Sequence, residues 1–129
     1  MSLQQLDSDE WEGVLCKELK VPNPTWDEVE AAIRRLDANR YTIACLVAPD
    51  QRHLLIGGGT GQFVMTVGLD EDRHLTAQDE NKPSGEVELT VGGQTGNYDN
   101  RTIWDMITVL KCARLFWQDN ELHPSVTWV

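Results

Sequence analysis

Residues 22–69 read PNPTWDEVEAAIRRLDANRYTIACLVAPDQRHLLIGGGTGQFVMTVGL, and a helical pattern gives way to a strand pattern within them. The Pro-Asn-Pro at the start interrupts regular structure, and Thr25 with Glu28 three residues later forms the capping-box pattern of a helix start. Apolar residues then recur every three or four positions as far as Leu36, which is the spacing of one helix face. We therefore predict a helix over residues 25–37.

The next part of the chain carries five strand-like runs, at residues 41–48, 53–56, 62–69, 73–78 and 86–91. The connections between them are short, which predicts antiparallel hairpins. In the last run acidic and apolar residues alternate, so Glu86 and Glu88 are expected to share one exposed face. The glycine-rich residues 57–61 contain no lysine and precede a strand. We interpret them as a hairpin turn and not as a phosphate-binding loop.

The remaining segments complete the predicted order of elements. Apolar residues cover most of the circumference of a second helix, predicted over residues 100–118, so this helix is expected to be the most buried element. Residues 92–97 are predicted as a loop before it, and residues 125–129 as a short strand after it. The segment 11–19 fits either an edge strand or a loose helix, and residues 1–13 could be a loose N-terminal segment.

This order indicates a single α+β domain over residues 1–129, with an antiparallel sheet of five to six strands and two main helices packed on it. The 129 residues include 40% hydrophobic and 25% charged residues, as in an ordinary globular chain. No apolar run approaches the ~20 residues that cross a bilayer. The polar, acidic N-terminus does not resemble a secretory signal, so we expect a cytoplasmic protein.

The charge and the reactive side chains narrow the classes of function. The net charge is −10, from 21 acidic and 11 basic residues. Such a surface repels phosphate groups, so neither nucleic acid nor membrane is expected as a partner, and a cationic partner is favoured. Cys16, Cys45 and Cys112 form no CxxC motif and are expected to be reduced thiols. Cys45 lies in an apolar strand, where a thiol is usually inert. The histidines lack metal-ligand spacing, and we expect no enzyme, no metal and no cofactor.

The acidic residues are concentrated in one segment. Residues 70–88 hold seven acids and two bases, a net charge of −5 within the total of −10. These acids are our candidate residues for binding a partner: Asp70, Glu71, Asp72, Asp79, Glu80, Glu86 and Glu88. Trp11 lies in another acidic segment and is a candidate aromatic anchor, because exposed aromatic residues are typical of binding surfaces. The alternative is that these acids form a solvated surface and Trp11 covers an edge of the core.

The layout of the chain also resembles a known family. The features that carry the resemblance are Asn23-Pro24-Thr25 leading into a helix that ends Ile33-x-x-Leu36-Asp37, the glycine-rich hairpin, Ala113-x-x-Phe116, and the terminal Val126-Thr127-Trp128. Over about residues 14–129 the chain resembles the first-numbered immunity-protein family of bacterial polymorphic toxin systems.

That resemblance implies a small cytosolic α+β protein, encoded beside a secreted toxin, which binds the toxin domain and blocks it without catalytic activity. The toxin would often be a nuclease or a deaminase, and frequently basic. Two other classes stay open: a small α+β ligand-binding or regulatory domain, and an enzyme such as a small hydrolase. A homodimer through the apolar 100–118 helix also stays open.

Overall fold

The structure, a computed structural model, describes residues 3–129 and contains a seven-stranded antiparallel sheet. Its strands are β1 (Gln5–Glu12), β2 (Leu15–Pro22), β3 (Ile43–Val47), β4 (His53–Gly59), β5 (Gln62–Gly68), β6 (His74–Gln78) and β9 (Thr127–Trp128), in the spatial order β2-β1-β3-β4-β5-β6-β9. A separate hairpin consists of β7 (Glu86–Val91) and β8 (Gln94–Asp99). The two helices are α1 (Trp26–Arg34) and α2 (Met106–Asp119).

The α+β class is therefore confirmed, and the large sheet has seven strands where five to six were predicted. Most of the difference lies at the N-terminus. Residues 5–12 are a strand between β2 and β3, so the expectation of a loose segment over residues 1–13 is wrong for the described part; Met1 and Ser2 lie outside the described residues. The ambiguous segment 11–19 is a hairpin. It reverses at a two-residue turn in which Gly13 has a φ of 62°, a conformation that glycine adopts without strain.

A second correction concerns residues 92–97, which were predicted as a loop. The chain reverses at Gly92 and Gly93, with φ values of 62° and 78°, and re-enters a strand at Gln94. Two adjacent residues with positive φ form the turn type that best matches the twist of a hairpin. The glycine-rich residues 57–61 form the predicted hairpin, which turns at Thr60 and Gly61.

Helix α1 begins as predicted, because Thr25 and Glu28 form both hydrogen bonds of the capping box. Helix α2 begins later than predicted, at Met106. Residues 100–102 form a 3-10 turn, and the main chain of Trp104 exchanges hydrogen bonds of 2.8 and 3.0 Å with that of Phe63. Asp105 then caps α2 by accepting a hydrogen bond from the backbone N–H of Thr108.

Helix α2 is buried on one face only, which corrects the expectation of burial around most of its circumference. Val109, Cys112, Ala113 and Phe116 are buried, whereas Ile107 is 67% exposed. The central strands are more buried, since the last four residues of β4 are all buried. None of the helices in the described residues 3–129 is both long and apolar enough to cross a membrane.

The sheet has a different layer on each face. The helices and the main core lie on the face to which Ile56 points, with buried residues such as Phe63 and Phe116 between them. The β7–β8 hairpin crosses the opposite face over a smaller apolar cluster that includes Val64 and Leu89. Gly57 permits this approach, because a Cβ atom there would overlap the side chain of Val91.

Candidate functional site

The predicted acidic residues do not form a single surface. Asp70, Glu71 and Asp72 lie in the turn between β5 and β6, whereas Asp79 and Glu80 follow the other end of β6. A strand rises about 3.3 Å per residue, so the five residues of β6 separate the two groups by roughly 15 Å. One short strand thus places residues that are close in sequence at its opposite ends.

Glu86 and Glu88 join the second of these groups. The backbone N–H of Asp79 donates to the carbonyl of Arg101 at 2.8 Å, which places Asp79 beside the start of the hairpin. Glu86 and Glu88 are exposed, and Leu89 of the same strand is buried, as the alternation predicted. The partner strand adds Asp99 directly opposite Glu86. We call Asp79, Glu80, Glu86, Glu88 and Asp99 the hairpin-base acids.

Asp70 has a local structural role in the first group. Its carboxylate accepts hydrogen bonds from the backbone N–H groups of Asp72 and Arg73 and from Nε of Arg73 at 2.7 Å. The side-chain hydrogen bond from Arg73 is the main reason that the pKa of Asp70 lies below its usual value. Glu71 and Asp72 carry the charge of this turn toward solvent.

Trp11 is half-buried, and its ring is fixed against the β7–β8 hairpin. Its ring lies against Gly93, where an added Cβ atom would overlap the indole. Its Nε1 donates to the carboxylate of Asp9 at 2.7 Å. The tryptophan therefore fastens the tip of the β7–β8 hairpin to strand β1, as expected if Trp11 covers an edge of the core, and its role as a binding anchor stays a prediction.

Asp9 is the centre of a hydrogen-bonded chain that sequence reasoning missed. It is 3% exposed and accepts hydrogen bonds from Trp11, from the hydroxyl of Thr42, and from the backbone N–H groups of Thr42 and Ile43. The Thr42 hydroxyl in turn accepts from the backbone N–H of Gly93 at 3.0 Å. No ion pair reaches Asp9 from the described residues. The only sign of this role in the sequence is that Asp9 lies two residues before Trp11, so that the two side chains share one face of a strand.

A cleft of about 420 Å³ opens beside these residues on the hairpin face of the sheet. Ile43, Cys45 and Leu55 form its apolar floor, and Asp7 and Glu18 are acids on its walls. Burial, and to a smaller extent the charge of Asp7, raise the pKa of the Cys45 thiol to about 11. Cys45 is therefore a protonated thiol near neutral pH and a poor nucleophile.

A wider groove of about 650 Å³ lies between the helices on the other face. Trp26 and Ile107 supply apolar surface, and Arg34, Lys111 and Arg114 make it the cationic part of an acidic protein. The guanidinium of Arg114 lies over the rings of Trp26 and Trp117, 5.0 and 5.2 Å from the centroids. An exposed apolar groove that is lined by several cationic side chains is suited to a ligand with an apolar part and an anionic group.

His53 on β4 and His74 on β6 meet across Gly68 of the intervening strand β5, with ring centroids 6.1 Å apart and Asp70 nearby. Within residues 3–129, no group of three or more histidine, cysteine, aspartate or glutamate side chains is arranged to hold a metal ion.

Searches against protein-family models, curated proteins and solved structures find no significant match to this chain.

Proposed function

We propose that this chain is an immunity protein that binds a basic toxin domain in the bacterial cytoplasm and neutralises it by covering its active site. The observation that supports this most is the number of carboxylates without an internal cation. Among the described residues, ion pairs engage Glu10, Glu18, Glu30 and Asp70, which is four of the 21 acidic side chains. Of the others, six exposed acids outside these ion pairs are available to a cationic partner: Glu71, Asp72, Glu80, Glu86, Glu88 and Asp99.

The placement of the acids supports fast, charge-steered binding and not catalysis. The hairpin-base acids and the Glu71–Asp72 turn lie at separate sites on the surface, so a large basic protein could contact more than one of them. Complementary charge raises the association rate, and added salt lowers it. The resemblance to the immunity-protein family supplies the remaining support, because acidity alone does not identify a function.

The experiment is a co-expression test with the toxin domain encoded beside this gene. Bacteria that make the toxin domain should survive when they also make this protein, and the two proteins should co-purify. A toxin that remains lethal and does not co-purify would refute the proposal. The pair Asp79→Lys and Glu86→Lys should slow association several-fold at low salt and much less at 0.5 M salt.

Glu71→Lys with Asp72→Lys is the matched charge reversal at the other turn. It leaves Asp70 and its turn hydrogen bonds in place. Comparing the two double variants shows which acidic group faces the toxin. Equal, salt-insensitive association rates for both variants and the parent protein would mean that the acids only form a solvated surface.

A second candidate function is a small α+β ligand-binding or regulatory domain. The groove between the helices favours it, because Arg114 is held in place over two tryptophan rings beside exposed apolar surface. An apolar carboxylate such as decanoate, bound there, should change the fluorescence of Trp26 and Trp117. Binding that survives the change Arg114→Gln would argue against this candidate.

A further inference from the structure

Strand β2 ends the sheet with a long, open edge. It is eight residues long, and six of these residues are exposed. In the sheet order it has β1 on one side and no strand of the described chain on the other. An uncovered edge presents a row of backbone N–H and C=O groups that can pair with another strand.

The register shows which backbone groups are unpaired. Trp11 is opposite Cys16, and the N–H of Trp11 donates to the carbonyl of Arg40 on the side of β3. Trp11 and Cys16 are therefore a pair without mutual hydrogen bonds, since these pairs alternate with bonded pairs in an antiparallel ladder. It follows that the backbone groups of Cys16, Glu18 and Lys20 point away from β1. Pro22, which has no N–H, ends this outward row.

The same three residues carry side chains on the face that holds the cleft, and all three line it. A strand paired with β2 would place every second side chain on this face, beside Glu18. Peptides that extend a sheet gain affinity from the main-chain bonds and specificity from such neighbouring pockets. The edge and the cleft thus form one continuous surface.

The charges at this surface favour a cationic side chain. Glu18 is directly opposite Asp9, and like charges in that position destabilise a sheet. Asp9 is buried, and its hydrogen bonds come from neutral groups. Lys20 is 4.0 Å from Glu18, and both side chains are more than 60% exposed, so this ion pair compensates little.

We propose that the open edge of β2 receives an extended basic segment of a protein partner as an eighth, antiparallel strand, with a lysine or arginine placed opposite Glu18. This proposal rests on the proposed function, because the toxin domain is the partner that would supply the segment. It adds a site that is separate from the hairpin-base acids.

The probe is a capped heptapeptide of sequence KTVRVTK, titrated against the intact protein in low-salt buffer. Pairing puts the central arginine opposite Glu18, and the N–H groups of that arginine and of both threonines face β2. N-methylation of the arginine and the following threonine should therefore weaken binding at least about tenfold. N-methylation of the two valines, whose N–H groups face solvent, should change it by less than about threefold. The two methylated peptides have equal charge.

Matched variants test the same edge from the side of the protein. Lys20→Pro removes one outward N–H, and proline is tolerated at such a position on an edge strand. Lys20→Ala removes the same charge and keeps the N–H. The proline variant should bind the peptide several-fold more weakly than the alanine variant, and Glu18→Gln should also weaken binding. Circular dichroism and urea unfolding confirm that each variant is folded.

Equal binding of the two methylated peptides would overturn the proposal, and so would equal binding by the Lys20→Pro and Lys20→Ala variants. Either result would mean that the peptide adheres through charge alone. The outcome is separate from that of the co-expression test. A toxin that is neutralised equally by both Lys20 variants would leave the proposed function intact and remove β2 from the interface.

Discussion

Gly93 is a residue at which the hairpin and the sheet approach closely. The indole of Trp11 occupies the position of an added Cβ, and the N–H of Gly93 donates to the Thr42 hydroxyl. Gly92, the other residue of the turn, also has a positive φ but has open space around its α-carbon. The two neighbouring glycines thus separate the effect of backbone conformation from the effect of packing.

We expect Gly93→Ala to destabilise the protein more than Gly92→Ala does. Both variants incur the cost of alanine at positive φ, about 1 kcal/mol. Gly93→Ala also displaces Trp11, which adds roughly 1–3 kcal/mol of overpacking. Urea unfolding gives the two free energies, and the fluorescence of Trp11 should change only in the Gly93 variant. Equal costs would mean that the ring moves away freely.

The three thiols should differ in reactivity. Cys16 is exposed, whereas burial raises the pKa of Cys45 to about 11 and that of Cys112 to about 12. At pH 8 a thiol with a pKa near 12 is ionised in about one molecule in 10⁴, and the thiolate is the reactive form. Iodoacetamide at pH 8 should therefore label one cysteine in the native protein and three in urea. Mass spectrometry counts the labels, and rapid triple labelling without denaturant would contradict the burial of the other two.

At the scale of elements, sequence reasoning succeeded where one face of an element is apolar. Helix α1 has a capping box and a stripe of buried side chains, and β7 alternates acidic with apolar residues. It failed at β1, which buries Ser8 and Asp9. It left β2 open between an edge strand and a loose helix, because most residues of this edge strand are exposed. The second strand of the β7–β8 hairpin was predicted as a loop, because β8 contains few apolar residues.

The candidate site was harder to predict than the fold. The sequence identified the acids and the exposed face of Glu86 and Glu88, which the structure confirms as exposed. It did not show that β6 separates Asp70 from Asp79. The two residues lie at opposite ends of this strand, so their separation depends on where the strand begins and ends. Trp11 was selected for its acidic neighbours, and one of these, Asp9, accepts a hydrogen bond from its indole N–H and fixes the half-buried ring.

The one-sided burial of α2 predicts a contrast along this helix. Phe116→Ala should cost about 3–5 kcal/mol, because the aromatic ring is 1% exposed in the main core. Ile107 lies on the exposed face of the same helix and is 67% exposed. Ile107→Ala should therefore change stability by less than about 0.5 kcal/mol. Thermal and urea unfolding measure both. A large loss at Ile107 would instead indicate that a second subunit covers this face.

At the scale of the whole molecule, four carboxyl groups link stability to pH. The pKa of Glu10 is lowered chiefly by the hydrogen bond from Tyr41, and that of Asp105 by its hydrogen bonds with Thr108. The hydrogen bond from Arg73 lowers the pKa of Asp70. At Asp37 burial raises the pKa, but the backbone hydrogen bonds lower it by more, so the net shift is downward. In each case the folded protein binds the proton more weakly than the unfolded chain does.

These depressed pKa values determine the sign of the pH dependence. Their contribution to stability is fully present above the ordinary carboxyl range and is lost as the pH falls through the folded-state pKa values, below about 4. The urea midpoint should therefore vary little between pH 7 and pH 5 and should fall between pH 4 and pH 2.5. The change Asp105→Asn should reduce the slope in the acid range, because it removes one of the four groups. A midpoint that rises on acidification would contradict this account.

The hydrogen-bonded chain through Asp9, Thr42 and Gly93 also affects the order of folding, because it forms only when the β7–β8 hairpin docks on the sheet. Its links join residues 33 and 51 positions apart, so they must close long loops, whereas each hairpin closes locally. We expect the hairpin to dock on the sheet after the rate-limiting step. Gly93→Ala should then accelerate unfolding and leave the refolding rate nearly unchanged, as measured by the two arms of a stopped-flow chevron plot.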